Sequence, residues 1–404
     1  MSSDSIDQLQ QGRSGHYEPH HPPVMAWVWG RIDEIHRGPL GMLLLQNLLF
    51  WSALALLFTL LNLPVRPAML LCVGLWPASL ALLGTIWKDV QMAASLLAAF
   101  SLIYAAARLS RRWPLYLALP PLFYGFAVRS NGVLAVLPLA IWGADVGWAR
   151  SLGRTRAWLI GVGATATLGG VVVGANAALT PGRSSYGFQQ AMLHDLVALS
   201  IVRARNLLPV EEPALELERM RALYQPAASD PLFWPPDRGS GLHFVGAAEI
   251  RGLVRTWFRA VLASPTAYLR HRLRYLKCLV GLDGHSHYPF HQGIDPNSLR
   301  LVYSPSRANH LLMPLLERVK DSWLFRPWVY LLCSLASFAW AAWRRSRALP
   351  EIAALTTSSL LNLVSYAVFG PASDFRYLWW SVLAGVLAPF LLAGAMKPIR
   401  GVAT

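Results

Sequence analysis

Four short polar clusters carry the groups in this chain that could do chemistry. They are SDSIDQ at 3 to 8 together with HHPP at 20 to 23, WKD at 87 to 89, RSNG at 129 to 132, and SDFRY at 373 to 377. Each stands near the end of an apolar run, where a charge placed in hydrocarbon costs about 2.5 to 3.5 kcal/mol, so its presence points to function. Lys88, Arg129 and Arg376 set against Asp4, Asp89 and Asp374 suit a pocket for a phosphate or diphosphate. Arg grips phosphate oxygens in a bidentate manner, and Lys acts as a point charge. Asn131, Tyr377, His20 and His21 add neutral groups at the same places. Taken singly, each cluster has a plain alternative. Lys88 and Asp89 would serve as an interfacial ion pair, Arg129 as a snorkelling anchor, and Arg376 beside Tyr377, Trp379 and Trp380 as part of an aromatic belt.

The elements that must position these groups are apolar helices. Of 404 residues, 54% are hydrophobic and only 14% charged, against about 25% charged in soluble domains, which excludes an ordinary soluble protein and a disordered one. A spanning helix needs about 20 mostly apolar residues to cross roughly 30 Å of hydrocarbon. Nine stretches approach this, at 40 to 62, 67 to 86, 90 to 107, 114 to 128, 133 to 149, 157 to 179, 327 to 343, 352 to 370 and 377 to 396. The expected fold class is therefore all-α, a polytopic transmembrane bundle with an external, mainly helical cap. Residues 1 to 39 form an external segment, 40 to 179 six spans, 180 to 326 the cap and 327 to 404 three more spans.

Orientation follows from the basic residues of the short loops, which stay on the cytoplasmic side. One set of alternate loops holds Arg66; Arg108, Arg111 and Arg112; Arg150, Arg154 and Arg156; and Arg344, Arg345 and Arg347. The other holds Lys88, Arg129 and Arg376, so all four polar clusters face outward together. All 11 histidines and every acid but Asp145 and Glu351 fall on the side read as external. The net charge of +15 is then largely a topology signal, and nucleic-acid binding is not expected. An external N-terminal segment without a signal peptide needs a means of export: either the first span translocates its own N-terminus or, the favoured reading, a further helix stands upstream, giving ten spans in a longer chain. Three well-separated cysteines offer no disulfide framework.

Within the cap, periodicity predicts helices over 187 to 207, 211 to 224, 246 to 263 and from Pro265 onward, with 231 to 241 as loop. Arg251, Arg255 and Arg259 recur at i, i+4, i+8, and Arg270, Arg272, Arg274 and Lys277 follow, placing basic stripes near lipid headgroups or an anionic substrate. His194 and Asp195 in AMLHDL fit either a helix packed near the polar clusters or a capped polar face. HSHYPFHQGID, with His285, His287 and His291, invites a metal-site reading, but a polar surface loop accounts for it better.

In their order along the chain, SDSIDQ, HHPP, WKD, RSNG, HDL and PASDFRY make the sequence resemble the bacterial GT-C superfamily of integral membrane glycosyltransferases. The likeness is to relatives of lipid A aminoarabinose transferase and protein O-mannosyltransferase, over nearly the whole chain. The resemblance implies a polyprenyl-phosphate-linked sugar donor, an envelope glycan, lipid or protein as acceptor, and action on the outer face of the inner membrane. It also implies a catalytic acid matching Asp4, with Asp7 as close rival, and a second acidic motif matching Asp89. A carboxylate at Asp4 would take the acceptor's proton, cations at Lys88, Arg129 and Arg376 would stabilise the departing phosphate, and in-line attack would invert the anomeric centre. Asp89 would orient Lys88 or hold a divalent cation. His20, His21, Asn131, His194, Asp195, Asp374 and Tyr377 complete the expected substrate contacts. The alternative reading is a transporter or flippase of lipid-linked or anionic substrates, and a third is an assembly scaffold without chemistry.

Overall fold

The computed structural model describes all residues except 19, 20, 62, 64, 65, 182–186, 210–214, 247 and 397–404. Among the described residues the chain is 73% helix with no strand, and extended pairing is confined to isolated bridges of Ala228 with Gln225 and Ala372. The N-terminal part holds α1 (Ser3–Ser14), α2 (Val24–Ile35), α3 (Leu40–Leu60), α4 (Arg66–Gly74), α5 (Pro77–Leu83), α6 (Lys88–Leu109), α7 (Trp113–Ala127), α8 (Gly132–Leu152) and α9 (Arg154–Leu179). A middle part follows with α10 (Gln189–Arg203), α11 (Leu217–Leu223), α12 (Asp230–Phe233), α13 (Ile250–Ala263), α14 (Pro265–Leu279) and α15 (Arg307–Val319). The chain closes with α16 (Pro327–Trp343), α17 (Leu349–Phe369) and, after a 3-10 turn at Phe375–Leu378, α18 (Trp379–Met396).

Six of these elements are long and apolar enough to cross a membrane: α3, α6, α8, α9, α17, and α18 with its preceding 3-10 turn. The bent pair α4 and α5, turned by 59° at its break, raises this to seven if it counts as one span. The remaining two of the nine apolar stretches form shorter helices. At about 1.5 Å per residue, the 15 residues of α7 and 17 of α16 reach roughly 22 and 25 Å. Pro114 opens α7 and Pro327 opens α16, where a missing N–H is harmless.

α6 is the central helix. It packs against α3, α7, α8 and α18, and 89% of its most apolar window is buried, against 22% for α9. A helix that is apolar all round yet mostly uncovered, as α9 is, suits lipid rather than water. α1 and α2 add Leu9, Val24, Met25 and Trp29 to the core shared by these helices.

Although α1 is rich in polar residues, it is firmly placed. Gly15, in the left-handed region at φ 67°, ends it and returns its N–H to the Gln11 carbonyl. Gly12 and Gly30 meet where α1 crosses α2; a Cβ on Gly12 would lie 2.5 Å from the Ala26 carbonyl oxygen, so no larger residue allows this crossing. Arg13 grips Asp33 of α2 at 2.8 and 3.0 Å, and Ser3 N–H donates to Asp295 at 2.7 Å. Asp4 is thereby carried on an anchored helix.

The middle part has its own apolar core. Leu193, Leu196 and Val197 of α10 pack with Met220, Leu232 and Leu253, so α10 to α13 cohere apart from the long apolar helices. Helices α10, α13 and α14 match the expected periodicity, and the expected start at 211 lies outside the described residues. Arg251, Arg255 and Arg259 are exposed beside a second exposed stripe of Val254, Phe258 and Leu262.

Candidate functional site

Three of the polar clusters and the loop before α18 converge at one end of the bundle, where α6 and α8 begin and α17 ends. Asp89, in the first turn of α6, is 1% exposed and accepts two parallel bonds from Arg129, at 2.8 Å from Nε and 2.6 Å from Nη2. Tyr366 of α17 donates a third at 2.6 Å. The guanidinium of Arg129 also faces the rings of Tyr366 and Tyr377, which stack 4.6 Å apart and 7° from parallel. With two guanidinium nitrogens and a phenol on its oxygens, Asp89 orients Arg129. Its oxygens are taken up by Arg129 and Tyr366 rather than by Lys88, one of the two alternative roles expected from the sequence.

Arg376 is the hub on the other side. Its Nε and Nη2 each lie 2.9 Å from Asp374 Oδ2, Nη2 is 3.2 Å from Asp4, and Nε is 3.9 Å from Asp89. Its guanidinium also sits over Trp87 at 4.5 Å and near Tyr288 at 5.9 Å. Trp87 is fixed by its indole N–H on Ser2 Oγ at 2.8 Å, and Ser5 Oγ donates to the Ile86 carbonyl at 2.6 Å, so α1 is stitched to the start of α6.

Lys88 differs from both arginines. It is 4% exposed and, among the described residues, its Nζ has no hydrogen-bond partner. Gln8, one turn beyond Asp4 on the same face of α1, also has both amide atoms buried without partners. A buried ammonium without a partner is costly, and such groups in native structures call for an explanation. A ligand that brings anionic oxygens supplies one.

Exposure rises from Asp89 to the rim. The Asp4 side chain is 37% exposed, and burial raises its proton affinity less than Arg376, Lys88 and Arg129 lower it, so the carboxyl lies below the usual range. Asp7 turns to Gln11 at 2.7 Å, and burial, then Glu18, pushes its carboxyl up; the geometry thus brings Asp4 rather than Asp7 to Arg376. Asp230, at the start of α12, was not singled out in the sequence. It is solvent-accessible yet enclosed by protein on most sides, and this enclosure, then Asp374 and Asp4, pushes its carboxyl up to about 6. Gln190 Nε2 reaches it at 3.3 Å. Only the folded path of the middle part brings residue 230 here, through Ser229 N–H on the Pro371 carbonyl and Ser373 N–H on the Ala227 carbonyl, at 2.9 and 2.8 Å.

The other expected contacts fall elsewhere. Asn131 donates to Ser365 Oγ at 2.9 Å and ties α8 to α17. His21 is half-buried just before α2, and His20 lies outside the described residues. His194 and Asp195 are both fully buried, packed inside the middle part. Asp195 accepts from Trp257 at 2.8 Å and from Arg272 at 2.9 Å, with His271 Nε2 at 3.1 Å. His194 Nε2 donates to the Gln225 carbonyl at 2.9 Å.

Burial, then the charges of His271 and Arg272, lowers His194 to about 3 from an ordinary 6.5. Because the folded value is depressed, its contribution to stability is complete above pH 6.5 and is lost as pH falls toward 3. We expect protection of α10 amides in hydrogen exchange to fall across that window, with a slope approaching 1.4 kcal/mol per pH unit. His194→Gln should flatten it, and an equal slope in that variant would assign the effect to other groups.

Comparison of the chain with protein-family models, curated proteins and solved structures finds no match.

Proposed function

We propose that this chain is a membrane-embedded glycosyltransferase of the GT-C type. It would move a sugar from a polyprenyl-phosphate-linked donor to an envelope acceptor on the outer side of the bacterial inner membrane. The observation that carries the reading is the enclosed ammonium of Lys88, unpartnered among the described residues and within electrostatic reach of Arg129 and Arg376, at one end of an apolar helical bundle. In this reading the nine apolar stretches all cross the membrane, with the bilayer thinning locally around α7 and α16. The middle part then lies outside as a cap, with Val254, Phe258 and Leu262 dipping among the headgroups that Arg251, Arg255 and Arg259 attract.

The donor phosphate sits against Lys88 and Arg376, while Asp89 holds Arg129 in place. The acceptor oxygen attacks the anomeric carbon as the bond from that carbon to the phosphate oxygen breaks, and its electron pair leaves with the phosphate. The acceptor's proton passes to a carboxylate. Two are open to an acceptor. Asp4, kept ionised by Arg376, is a weak base suited to holding the acceptor and orienting Arg376. Asp230, with a value near 6, has the proton affinity that suits a base acting near neutrality. The rate constant kcat/KM should therefore rise as pH climbs through about 6. Asp230→Asn should remove the inflection and slow transfer by about 10²- to 10⁴-fold.

The test uses membranes given radiolabelled polyprenyl-phosphate sugars and an envelope extract. Label transfer by the wild type, its loss in Asp230→Asn and a weaker loss in Asp4→Asn support the reading. An Asp230→Asn variant with an unaltered pH profile removes that residue as base. The 59° break between α4 and α5 favours a second reading, since transporters for anionic substrates use broken helices. Movement of the labelled lipid between leaflets without any transfer would establish that reading instead.

A further inference from the structure

We infer that Cys278, Asp283 and His287 form a zinc site at the base of the middle part. Their ligand atoms, one from each residue, all lie within 4.8 Å of one another. Cys278 is in the last turn of α14, and two glycines with positive φ, Gly281 at 75° and Gly284 at 92°, reverse the chain and bring the other two back to it. His287 Nε2 already lies 2.6 Å from Asp283 Oδ2, and the His285 N–H donates to Asp283 Oδ1 at 3.3 Å.

The donor set selects the ion. A thiolate, an imidazole and a carboxylate suit zinc, whereas magnesium and calcium want oxygen ligands throughout. Zinc at about 2.3 Å from sulfur and 2.0 to 2.2 Å from nitrogen and oxygen requires its ligands to stand roughly 3.3 to 3.6 Å apart in a tetrahedron. Side-chain adjustments of about 1 Å from the present arrangement reach this. Three protein ligands leave a fourth position for water or another donor. The HxH pattern with a third histidine is a different set: His291 is engaged by the Tyr288 hydroxyl at 2.6 Å, and the cysteine and aspartate that complete the group lie before the motif.

The consequence is mechanical. The carbonyl of His287 accepts the Phe375 N–H at 2.8 Å, next to Arg376. Tyr288 follows in the left-handed region at φ 46°, unfavourable for a residue with a Cβ, with its ring 5.5 Å from Trp87 and 5.9 Å from the Arg376 guanidinium. Zinc on His287 pins this segment against the wall that carries Arg376.

The experiment reads metal alone and needs no sugar substrate, so it stands apart from the transferase reading. Purified full-length protein in detergent, stripped with a chelator, is titrated with Zn²⁺ and separately with Co²⁺. The expected result is one equivalent of Zn²⁺ retained after dialysis and a thiolate-to-cobalt charge-transfer band. Cys278→Ser and His287→Gln should each weaken binding at least 100-fold, while Cys72→Ser and Cys333→Ser leave it unchanged. Zinc should also slow alkylation of Cys278 and leave that of the exposed Cys72 and Cys333 unaltered. Retention below one equivalent, or equal retention by Cys278→Ser with an unchanged unfolding midpoint in chelator, would mean an adventitious ion only and overturn the site.

Discussion

If the chain is a glycosyltransferase as proposed, replacing Lys88 with Met is expected to slow transfer by about 10²- to 10³-fold while making the protein harder to unfold. The two effects have one cause. An ammonium that is 4% exposed and lacks a hydrogen-bond partner has lost most of its hydration without full compensation, a penalty of several kcal/mol for a buried ion. Met fills a similar volume and removes that penalty. Exchanging a buried ion pair for apolar groups of similar volume is often neutral or stabilising by about 1 to 4 kcal/mol, and an ammonium without a hydrogen-bond partner has less compensation to lose than a paired one. At about 2 to 4 °C per kcal/mol for domains of 150 to 250 residues and less for a chain of 404, the unfolding midpoint should rise by a few degrees at most. Asp4 does not become an orphan, because Arg376 remains 3.2 Å away. Function moves the other way. A point charge aimed at a leaving phosphate is worth about 10²- to 10³-fold in rate, as single oxyanion donors are. Paired thermal unfolding and transfer assays on one preparation check both. A lower midpoint in Lys88→Met would mean that Lys88 holds the fold together, and the anion-binding reading would lose its main support.

Much of this architecture was legible in the sequence because hydrocarbon-facing helices leave a coarse signal. Runs such as 40 to 62 and 133 to 149 coincide with α3 and α8, and cap periodicity located α10, α13 and α14 within a few residues. Span counts were less legible. Apolar composition does not say whether residues 114 to 128 wind into a full-length helix, and the stretch 67 to 86 reads as one run although Gly74 and Pro77 bracket a 59° turn. Legibility within the site followed spacing. Lys88, Asp89, Arg129 and Arg376 announce themselves because charge at an apolar run is rare. Asp230 gave no such signal, as it sits among prolines in an apparent loop and reaches the others only when Ser229 pairs with Pro371. The pairing inside the cluster was also hidden. Adjacency along the chain suggests Asp89 with Lys88, but neighbours on a helix point about 100° apart, and Arg129 takes the carboxylate instead.

That pairing sets the largest expected loss of stability, at Asp89. Among the described residues Asp89 is the only carboxylate within 4.0 Å of the Arg129 guanidinium, whereas Arg376 reaches three: Asp374 at 2.9 Å, Asp4 at 3.2 Å and Asp89 at 3.9 Å. Removing one partner of a buried ion pair costs about 3 to 5 kcal/mol, since the other charge is left without compensation. Asp89→Asn should therefore destabilise by that amount. Tyr366 and Tyr377 face the Arg129 guanidinium with or without Asp89, so they do not replace the lost carboxylate. Asp374→Asn should cost less, because Arg376 keeps Asp4 and Asp89. Arg129→Met should cost about as much as Asp89→Asn, for Asp89 would then depend on Tyr366 and the more distant Arg376. The double variant Asp89→Leu with Arg129→Met, which leaves neither charge uncompensated, should recover most of the stability and none of the function. A cycle built from Asp89→Leu, Arg129→Met and the double variant by chemical unfolding should yield a coupling of about 2 kcal/mol or more, near the upper end of about 0.5 to 3 kcal/mol seen for contacting residues. Additive losses, or equal costs for Asp89→Asn and Asp374→Asn, would show that Asp89 and Arg129 are not a dependent pair, and the assignment of Asp89 as the group that positions Arg129 would fall.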